Sequence, residues 1–451
     1  MKFVIKFILI TFLTVAISNS FAQQVYQFSL QEAIDFSMEN NYDVIYSEKN
    51  IEAAKQQMRE ATSIGLPKID GAIDYSDNIA LPVSVIPNGA EFFGQGSGDI
   101  VLQFGTKYNM NAGLYASQLL FSGQYIVGLK TAKIFLEKTN IDFFKDKVLV
   151  RQQVADSYFN VLSVEEALWV IDTTLAVTEK LADETRMTYE VGFVEDIDVD
   201  QLDLLVADLE ANKVYMTNQL SIAHAFLKFY LGLSDQDSLV LTDNINNLIV
   251  NFQNSELVSQ PFDYNENVEY ASVTKQKQIS LMQVKLEQTN YMPTLMANVN
   301  LQTNAQRQQW DFFDPKGAWY ASSVFGVSLT MPIWSSGERQ AKVKQAKIAY
   351  EQMEIIEDQL ITSLKLQYQQ AINEYFNAYR VYENKDKARK TAEKIFNKTS
   401  IKFSEGMASS LDILNTQNQY LTAEQDYITA SAALLKAGEE LKRLLTKSIN
   451  L

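Results

Sequence analysis

SGQYIVGLKTAKIFLE at residues 122–137 and SGERQAKVKQAKIAYE at 336–351 open the two stretches whose reading decides the fold. A shift of 214 places Ser122 on Ser336, Gly123 on Gly337, Lys130 on Lys344, Ala132 on Ala346, Lys133 on Lys347, Ile134 on Ile348 and Glu137 on Glu351. The same shift carries Gly192 onto Gly406, Asp198 onto Asp412 and Glu210 onto Glu424. A register held without a gap over about 90 residues predicts an internal duplication. Upstream the shift is 226, pairing Asn41 with Asn267, Asp43 with Glu269 and Pro67 with Pro293. Pro67 to Gly123 is 56 residues and Pro293 to Gly337 is 44, so the first repeat carries 12 extra, which fit only in a loop.

Each aligned stretch reads as a very long helix. Prolines stand at 67, 82, 87, 261, 293, 315 and 332, leaving 88–260 and everything after 332 free of them, and an interior proline breaks a helix. Ser122 to Val191 holds two glycines, Gly123 and Gly128, in 70 residues; Ser336 to Glu405 holds one, Gly337, in 70. At 1.5 Å per residue each makes a helix of roughly 105 Å, the length of a coiled coil or an extended tube. Residues 41–65 and 193–231 are helical in composition, roughly 37 and 58 Å long. Stacked end to end, the two nearly match one long helix. Leu414, Leu421, Ile428 and Leu435 recur every seven residues, the spacing of a left-handed coiled-coil seam.

Between the helices the period changes to two. Tyr108, Met110, Ala112, Leu114 and Ala116 alternate with Asn109, Asn111, Gly113, Tyr115 and Ser117. Leu295, Ala297, Val299 and Leu301 alternate with Met296, Asn298, Asn300 and Gln302, and 324–331 repeats the pattern, with a weaker fourth case at 69–76. Such alternation predicts strands with one apolar face. Their length suits a tilted membrane strand, and equally a sheet on a soluble core. If they span lipid, four strands are too few to close a barrel, so several chains must share one. The loops 78–107, with Gly94-Gln95-Gly96-Ser97-Gly98, and 305–323, with Trp310, Phe312, Phe313, Trp319 and Tyr320, fit an exposed rim. The glycines lack the strand-to-helix setting of a phosphate cradle.

Composition narrows the classes of function. The 451 residues contain no cysteine and one histidine, which excludes disulfides, thiol catalysis, thiolate zinc sites and multi-histidine centres. The formal charge of −16 offers no basic face for nucleic acid. Lys2, Lys6, the apolar run 7–17 and Ser20-Phe21-Ala22 form a secretory signal, so the mature chain is expected to begin at Gln23. No later run reaches the roughly 18 apolar residues of a membrane helix.

Several stretches together carry a family likeness. These are Ser29-Leu30-Gln31-Glu32-Ala33 followed by Glu39-Asn40-Asn41; Leu120-Phe121-Ser122-Gly123 and Pro332-Ile333-Trp334-Ser335-Ser336-Gly337 at the strand-to-helix joints; and Val191-Gly192 and Glu405-Gly406 at the far turns. In order and spacing the chain resembles the TolC-like outer-membrane efflux proteins, over nearly its whole mature length. Trp334 departs from the family's usual Phe. The resemblance implies a mainly α fold with a membrane β section: a homotrimer sharing a 12-stranded β-barrel, continued by a long periplasmic α-helical barrel. It implies residence in the outer-membrane lipid and extension into the periplasm. The implied partners are a periplasmic adaptor and an inner-membrane pump of RND or ABC type, with no cofactor. Residues 1–22 then form the signal peptide, 23–232 the first repeat with hairpin 68–121, 233–265 a linker or equatorial segment, and 266–451 the second repeat with hairpin 294–334.

The acidic cluster Glu195, Asp196, Asp198, Asp200 and Asp203 is the most informative local chemistry. One reading is a favourable charge set at a helix N-terminus. The other comes from the resemblance: family tunnels narrow near these turns, with acidic rings six and nine residues after the turn glycine. From Gly406 those positions are Asp412 and Asn415, and from Gly192 they are Asp198 and Gln201. One of each pair is acidic, and Asp200 and Asp203 stand where they could supply the missing charge. Gly192 and Gly406 mark the turns where an adaptor would dock. Asp196-Ile197-Asp198-Val199-Asp200 imitates a calcium loop but has Gln201 and Ala207 at its sixth and twelfth positions, which defeats it. His224, beside an apolar run, reads as a packed or interface residue rather than a general base. The function expected is a passive exit duct of a tripartite efflux pump or type I secretion system. The alternatives are a non-conducting coiled-coil protein bridging the envelope and a barrel enzyme, the latter disfavoured because no nucleophile–base set is visible.

Overall fold

The computed structural model describes residues 25–447 except 93, 95–97 and 254–259. The signal segment 1–22, the core of the glycine-rich stretch and part of 233–265 therefore lie outside the described residues. The chain forms two compact units, one built from Glu52–Lys138 and Thr274–Ile356, the other from the described parts of Met1–Ile51, Thr139–Val273 and Glu357–Leu451.

The helices follow the proline and glycine spacing closely. They are α1 (Leu30–Asn40), α2 (Tyr42–Ser63), α3 (Gly123–Glu190), α4 (Asp196–Leu231), α5 (Ile245–Gln253), α6 (Val268–Thr289), α7 (Glu338–Ser404) and α8 (Ser410–Leu445). The long pair α3 and α7 run 68 and 67 residues, while α2 and α6 share a length of 22, and α4 and α8 one of 36.

The first unit is organised by one antiparallel sheet. Its strands are β2 (Lys68–Asp77), β5 (Tyr108–Ser122), β7 (Thr294–Arg307) and β8 (Tyr320–Thr330), in the order β2-β5-β7-β8. The weakest of the sequence alternations is thus a full ten-residue strand. Register puts Ile69, Ala116, Val299 and Phe325 in one row, and Gly71, Leu114, Leu301 and Ser323 in the next on the same side. The opposite side carries Asp70, Asp74, Asn109, Asn111, Asn298, Asn300, Gln302 and Asn304. No core covers the apolar side: Ile73 is 76% exposed and Phe325 71%. An uncovered apolar sheet face of this extent marks an interaction surface, which distinguishes it from a sheet resting on a soluble core.

The loops of this unit are more ordered than a bare rim. The longer loop between β2 and β5 holds a small hairpin, β3 (Val83–Ile86) with β4 (Ile100–Gln103), and a helical turn at Gly89–Phe92. β-Branched residues at 83, 85, 86, 100 and 101 supply the strand preference. In the second loop Phe312 is buried rather than exposed, and its ring meets Tyr75, Trp310 and Trp319 at 6.0, 6.3 and 6.4 Å. Phe313 remains outside.

The second unit holds the main core, with Tyr158, Phe159, Leu227, Leu231, Leu434 and Leu435 fully buried. Here β1 (Val25–Phe28) pairs in parallel with β6 (Ser238–Leu241), and α5 adds Ile245 and Ile249 to the core. The described residues of 233–265 therefore include these two elements, β6 and α5. Asn41 caps α2 by accepting from the Asp43 amide at 2.8 Å, and donates its own side-chain amide to the Tyr230 carbonyl at 2.7 Å. Asn267 does the same for α6, accepting from Glu269 at 2.8 Å and donating to Leu444 at 3.3 Å. Each short helix thus starts where its partner ends, as the summed lengths require. At the first junction Gly232 has φ 75°, and a Cβ there would overlap the Asn40 carbonyl. Along α8, Ile428 and Leu435 of the heptad series are buried, and Leu414 and Leu421 half-buried.

A strip of charges lines the contact of α3 with α8. Arg443 holds Glu440 at 2.7 Å and Glu269 at 2.9 Å, and Gln152 donates to Glu440 at 2.8 Å. Asp156 sits beside Lys436, Glu439 and Glu440 with one oxygen unpartnered, and burial pushes its carboxyl up to about 6. A carboxyl raised in the folded state stabilises the fold below its unfolded value of 3.8 and loses that contribution as pH rises through about 6. Asp156→Asn should therefore raise the thermal unfolding midpoint at pH 8 by the equivalent of about 1–2 kcal/mol, after discounting for solvent screening. The gain should vanish below about pH 4, read from melts across pH.

Candidate functional site

The far helical turns hold a polar site in the second unit. Both turns are built alike. Gly192 and Gly406 adopt φ 83° and 72°, a left-handed conformation that favours glycine. The Gly192 amide bonds the Tyr189 carbonyl at 2.8 Å and that of Phe193 bonds Thr188 at 3.1 Å. The Gly406 and Met407 amides repeat this with Phe403 and Lys402, at 2.9 and 2.7 Å. These are Schellman closures, and each throws a large apolar side chain, Phe193 or Met407, into solvent. Ile197 and Leu411 occupy matching exposed positions one turn on.

The duplicated acids differ in their surroundings. Asp412 is exposed and closes a capping box: its Oδ2 accepts from the Ser409 amide at 2.9 Å and from Ser409 Oγ at 2.8 Å. These hydrogen bonds hold its carboxyl below the usual carboxylate value, so it is ionised at neutral pH. Asp198 also reaches back to its own cap, accepting from the Glu195 amide at 3.4 Å. Its other oxygen takes the Ser410 hydroxyl of α8, and Gln201 lies 2.8 Å from the same hydroxyl. One hydroxyl proton cannot serve two acceptors. Turning the Gln201 carboxamide puts its Nε2 where Oε1 faces Ser410, and Ser410 then donates to Asp198 while accepting from Gln201, which satisfies all three groups. Ser410 is buried, and the residue before it, Ser409, is the N-cap, so this bridge locks the start of α8 to the start of α4. Beneath it Leu181, Ala182, Leu202 and Ile413 form an apolar layer.

The remaining candidates separate. Asn415 and Asp200 are exposed. Asp203 is held by Arg186 at 2.7 Å and shares that guanidinium with Asp183 at 3.1 Å. Asp198 and Gln201 are brought together through a residue the sequence reading passed over. The signal for that region was the Ser409-to-Asp412 spacing, a capping-box pattern; nothing local marks Ser410. Among the described residues no group of three or more His, Asp or Glu side chains could hold a metal, and the imitation calcium loop is simply the first turn of α4. His224 Nε2 lies 3.5 Å from Glu165 and its ring is mostly buried, a packed position.

Two further polar layers cross-link α8 to the long helices. Gln417 is fully buried with its amide group 3.1 Å from Thr178 Oγ1, whose own proton goes to the Thr174 carbonyl at 2.8 Å. Arg389 bonds Asp386 at 3.2 Å, approaches Glu424 at 3.5 Å and lies over the Tyr427 ring at 4.6 Å.

The chain thus carries a two-faced antiparallel sheet flanked in sequence by helices of 68 and 67 residues. The chain belongs to the outer membrane efflux protein family, whose model matches residues 33–233 and 271–447. It is thus an outer-membrane protein of a channel family and not an enzyme. It is similar to outer membrane protein TolC of Vibrio cholerae, with 21% identity over 327 residues, covering 71% of this chain and 73% of the relative. In fold it is similar to CusC (TM-score 0.73, 15% identity, 93% of this chain and 92% of that one) and to the CmeC outer membrane channel of Campylobacter jejuni (0.70, 15%, 92% and 85%).

The Ser410 bridge is open to direct test. Ser410→Ala leaves the Asp198 carboxylate without its α8 donor, at a cost of about 1–1.5 kcal/mol. Amide exchange at 196–202 and 410–413 should speed up by about tenfold. Exchange around Ile428 and Leu435 should not change.

Proposed function

We propose that three copies of this chain form one exit duct of a tripartite efflux pump or type I secretion system. The observation that carries this reading is the pair of open sheet edges. β2 and β8 each present a row of unpaired backbone groups along an apolar face, and lipid does not tolerate such edges. All three existing pairings are antiparallel. A neighbour's β2 laid on β8 therefore continues the same alternation, and three chains of four strands close a 12-stranded barrel. Its apolar side would face hydrocarbon, and its asparagine-rich side would line a water-filled lumen.

The rest of the chain is assigned on the same footing. The matched helix lengths and the equivalent Asn41 and Asn267 caps support two repeats, 23–232 and 266–451, each contributing a long helix and a stacked pair to a periplasmic α-helical barrel. The turns at Gly192 and Gly406, with Phe193 and Met407 exposed, are the surface for a periplasmic adaptor, which links the duct to an inner-membrane pump of RND or ABC type. Transport energy comes from that pump, and this chain conducts passively. Asp412 would form a ring of three carboxylates at the tip. Both of its cap bonds fall on Oδ2, leaving Oδ1 for the lumen. Asp198 and Gln201, tied to Ser410, would brace the ring, and Asn415 and Asp200 would add polarity without a second full ring.

Planar-bilayer recording tests the reading, with light scattering of the same detergent sample. A three-chain mass and discrete, cation-preferring conductance are expected. Asp412→Ala should lower cation preference and weaken block by multivalent cations at unchanged trimer yield. A folded trimer that never conducts would instead favour the non-conducting structural protein.

A further inference from the structure

Just past the sheet, where helices begin or end, the charge of the chain reverses. Residues 59–66, 123–133, 285–292 and 338–347 hold eight Lys and Arg against three Glu, in a chain whose formal charge is −16. At the other end of the strands, 77–107 and 307–320 hold three basic residues against five acidic. The excess therefore follows the sheet's geometry: basic on the helix side, acidic on the loop side. Lys130, Lys133, Lys344 and Lys347 are exposed and make no ion pair among the described residues. They are the same two positions of α3 and α7 under the shift of 214. Lys342, by contrast, is held by Glu338 at 2.6 Å.

The apolar strip of β8 runs into this basic zone. Past Thr330 it continues through Met331, Ile333 and Trp334, the last two 88% and 83% exposed. Arg339 joins the two chemistries. Its guanidinium donates to the Pro332 carbonyl at 2.9 Å and lies 5.0 Å from the centre of the half-exposed Tyr291 ring. An aromatic and aliphatic step followed by unpaired lysines is the profile of a bilayer boundary: interfacial rings at headgroup level, then cations in the phosphate layer. Nine residues of helix rise about 14 Å. Lys347 thus stands within reach of a headgroup layer roughly 5–8 Å deep plus a Debye length of about 8 Å.

We infer that Trp334, Tyr291 and the lysine pairs Lys130/Lys133 and Lys344/Lys347 form a docking belt for anionic phospholipid headgroups of the periplasmic leaflet. The belt rests on the membrane placement proposed above. The occupant is a lipid phosphate because the cations adjoin exposed apolar surface continuous with the sheet face. It fixes the depth of the sheet in the bilayer, and it prefers phosphatidylglycerol-type lipid to zwitterionic lipid.

Fluorescence quenching reads this directly. Trp334 is one of four tryptophans, so W169F/W310F/W319F leaves it as the only reporter. The full-length protein is reconstituted in vesicles containing either brominated phosphatidylglycerol or brominated phosphatidylcholine. The belt predicts that phosphatidylglycerol occupies the site about fivefold more strongly. K130Q/K133Q/K344Q/K347Q should bring the ratio to about one while quenching by both lipids persists. Should that variant not assemble, the parent alone decides, because half-molar salt should collapse its preference. Equal quenching by the two lipids at low salt overturns the belt and leaves the membrane placement standing. A salt-insensitive preference, or one that survives loss of the four lysines, also overturns it. No quenching by either lipid overturns the membrane placement itself.

Discussion

A backbone N–H or C=O in hydrocarbon has no water to turn to, and each one left unpaired costs several kcal/mol. On the reading proposed above, that constraint governs this chain. Its sheet has only four strands, β2 and β8 are ten and eleven residues long, and each leaves one side of its backbone unpaired. Soluble proteins blunt such edges with charge, proline or a covering helix. Here Ile69, Ile73 and Tyr75 on one edge, and Phe325, Val327 and Leu329 on the other, make the edges as apolar as the face between them. The proposed oligomer would resolve the conflict without adding any element to the chain.

The helical parts answer to a different constraint, the capping of so many ends. Asn41 and Asn267 each close one helix and catch the last carbonyls of another. The Schellman turns at Gly192 and Gly406 reverse the chain without an unsatisfied end. Buried polar layers, Thr178 with Gln417 and Arg389 with Glu424, punctuate α8. Such layers specify register at little gain in stability.

Much of this was legible in the residues. Proline and glycine spacing gave the long helices to within three residues, because helix ends of this length are set by what cannot continue a helix. Period-two alternation gave all four strands of the main sheet, because each has one wet and one apolar side. Less visible was the β3–β4 hairpin, whose strands are too short for a period to emerge. The burial of Phe312 was equally hidden, since it depends on Tyr75 from a distant strand. At the tips the acids were found but not their roles. Asp412 and Asp198 are equivalent in sequence, and only the packing of Ser410 against α4 separates an exposed cap from a buried bridge.

Paired cysteines on the two open edges measure the central claim most directly, in a chain with no native thiols. Ile73→Cys on β2 is combined in turn with Ala321→Cys, Ser323→Cys, Phe325→Cys and Val327→Cys on β8, all on the same face of the sheet. Mild oxidation in native membranes should give, for at least one pairing, covalent species that stop at three chains. Pairings displaced by one residue, such as Ser322→Cys, should fail because that side chain points to the other face. A series in which no pairing links separate chains, or in which the ladder runs beyond three, would contradict a barrel closed by three copies.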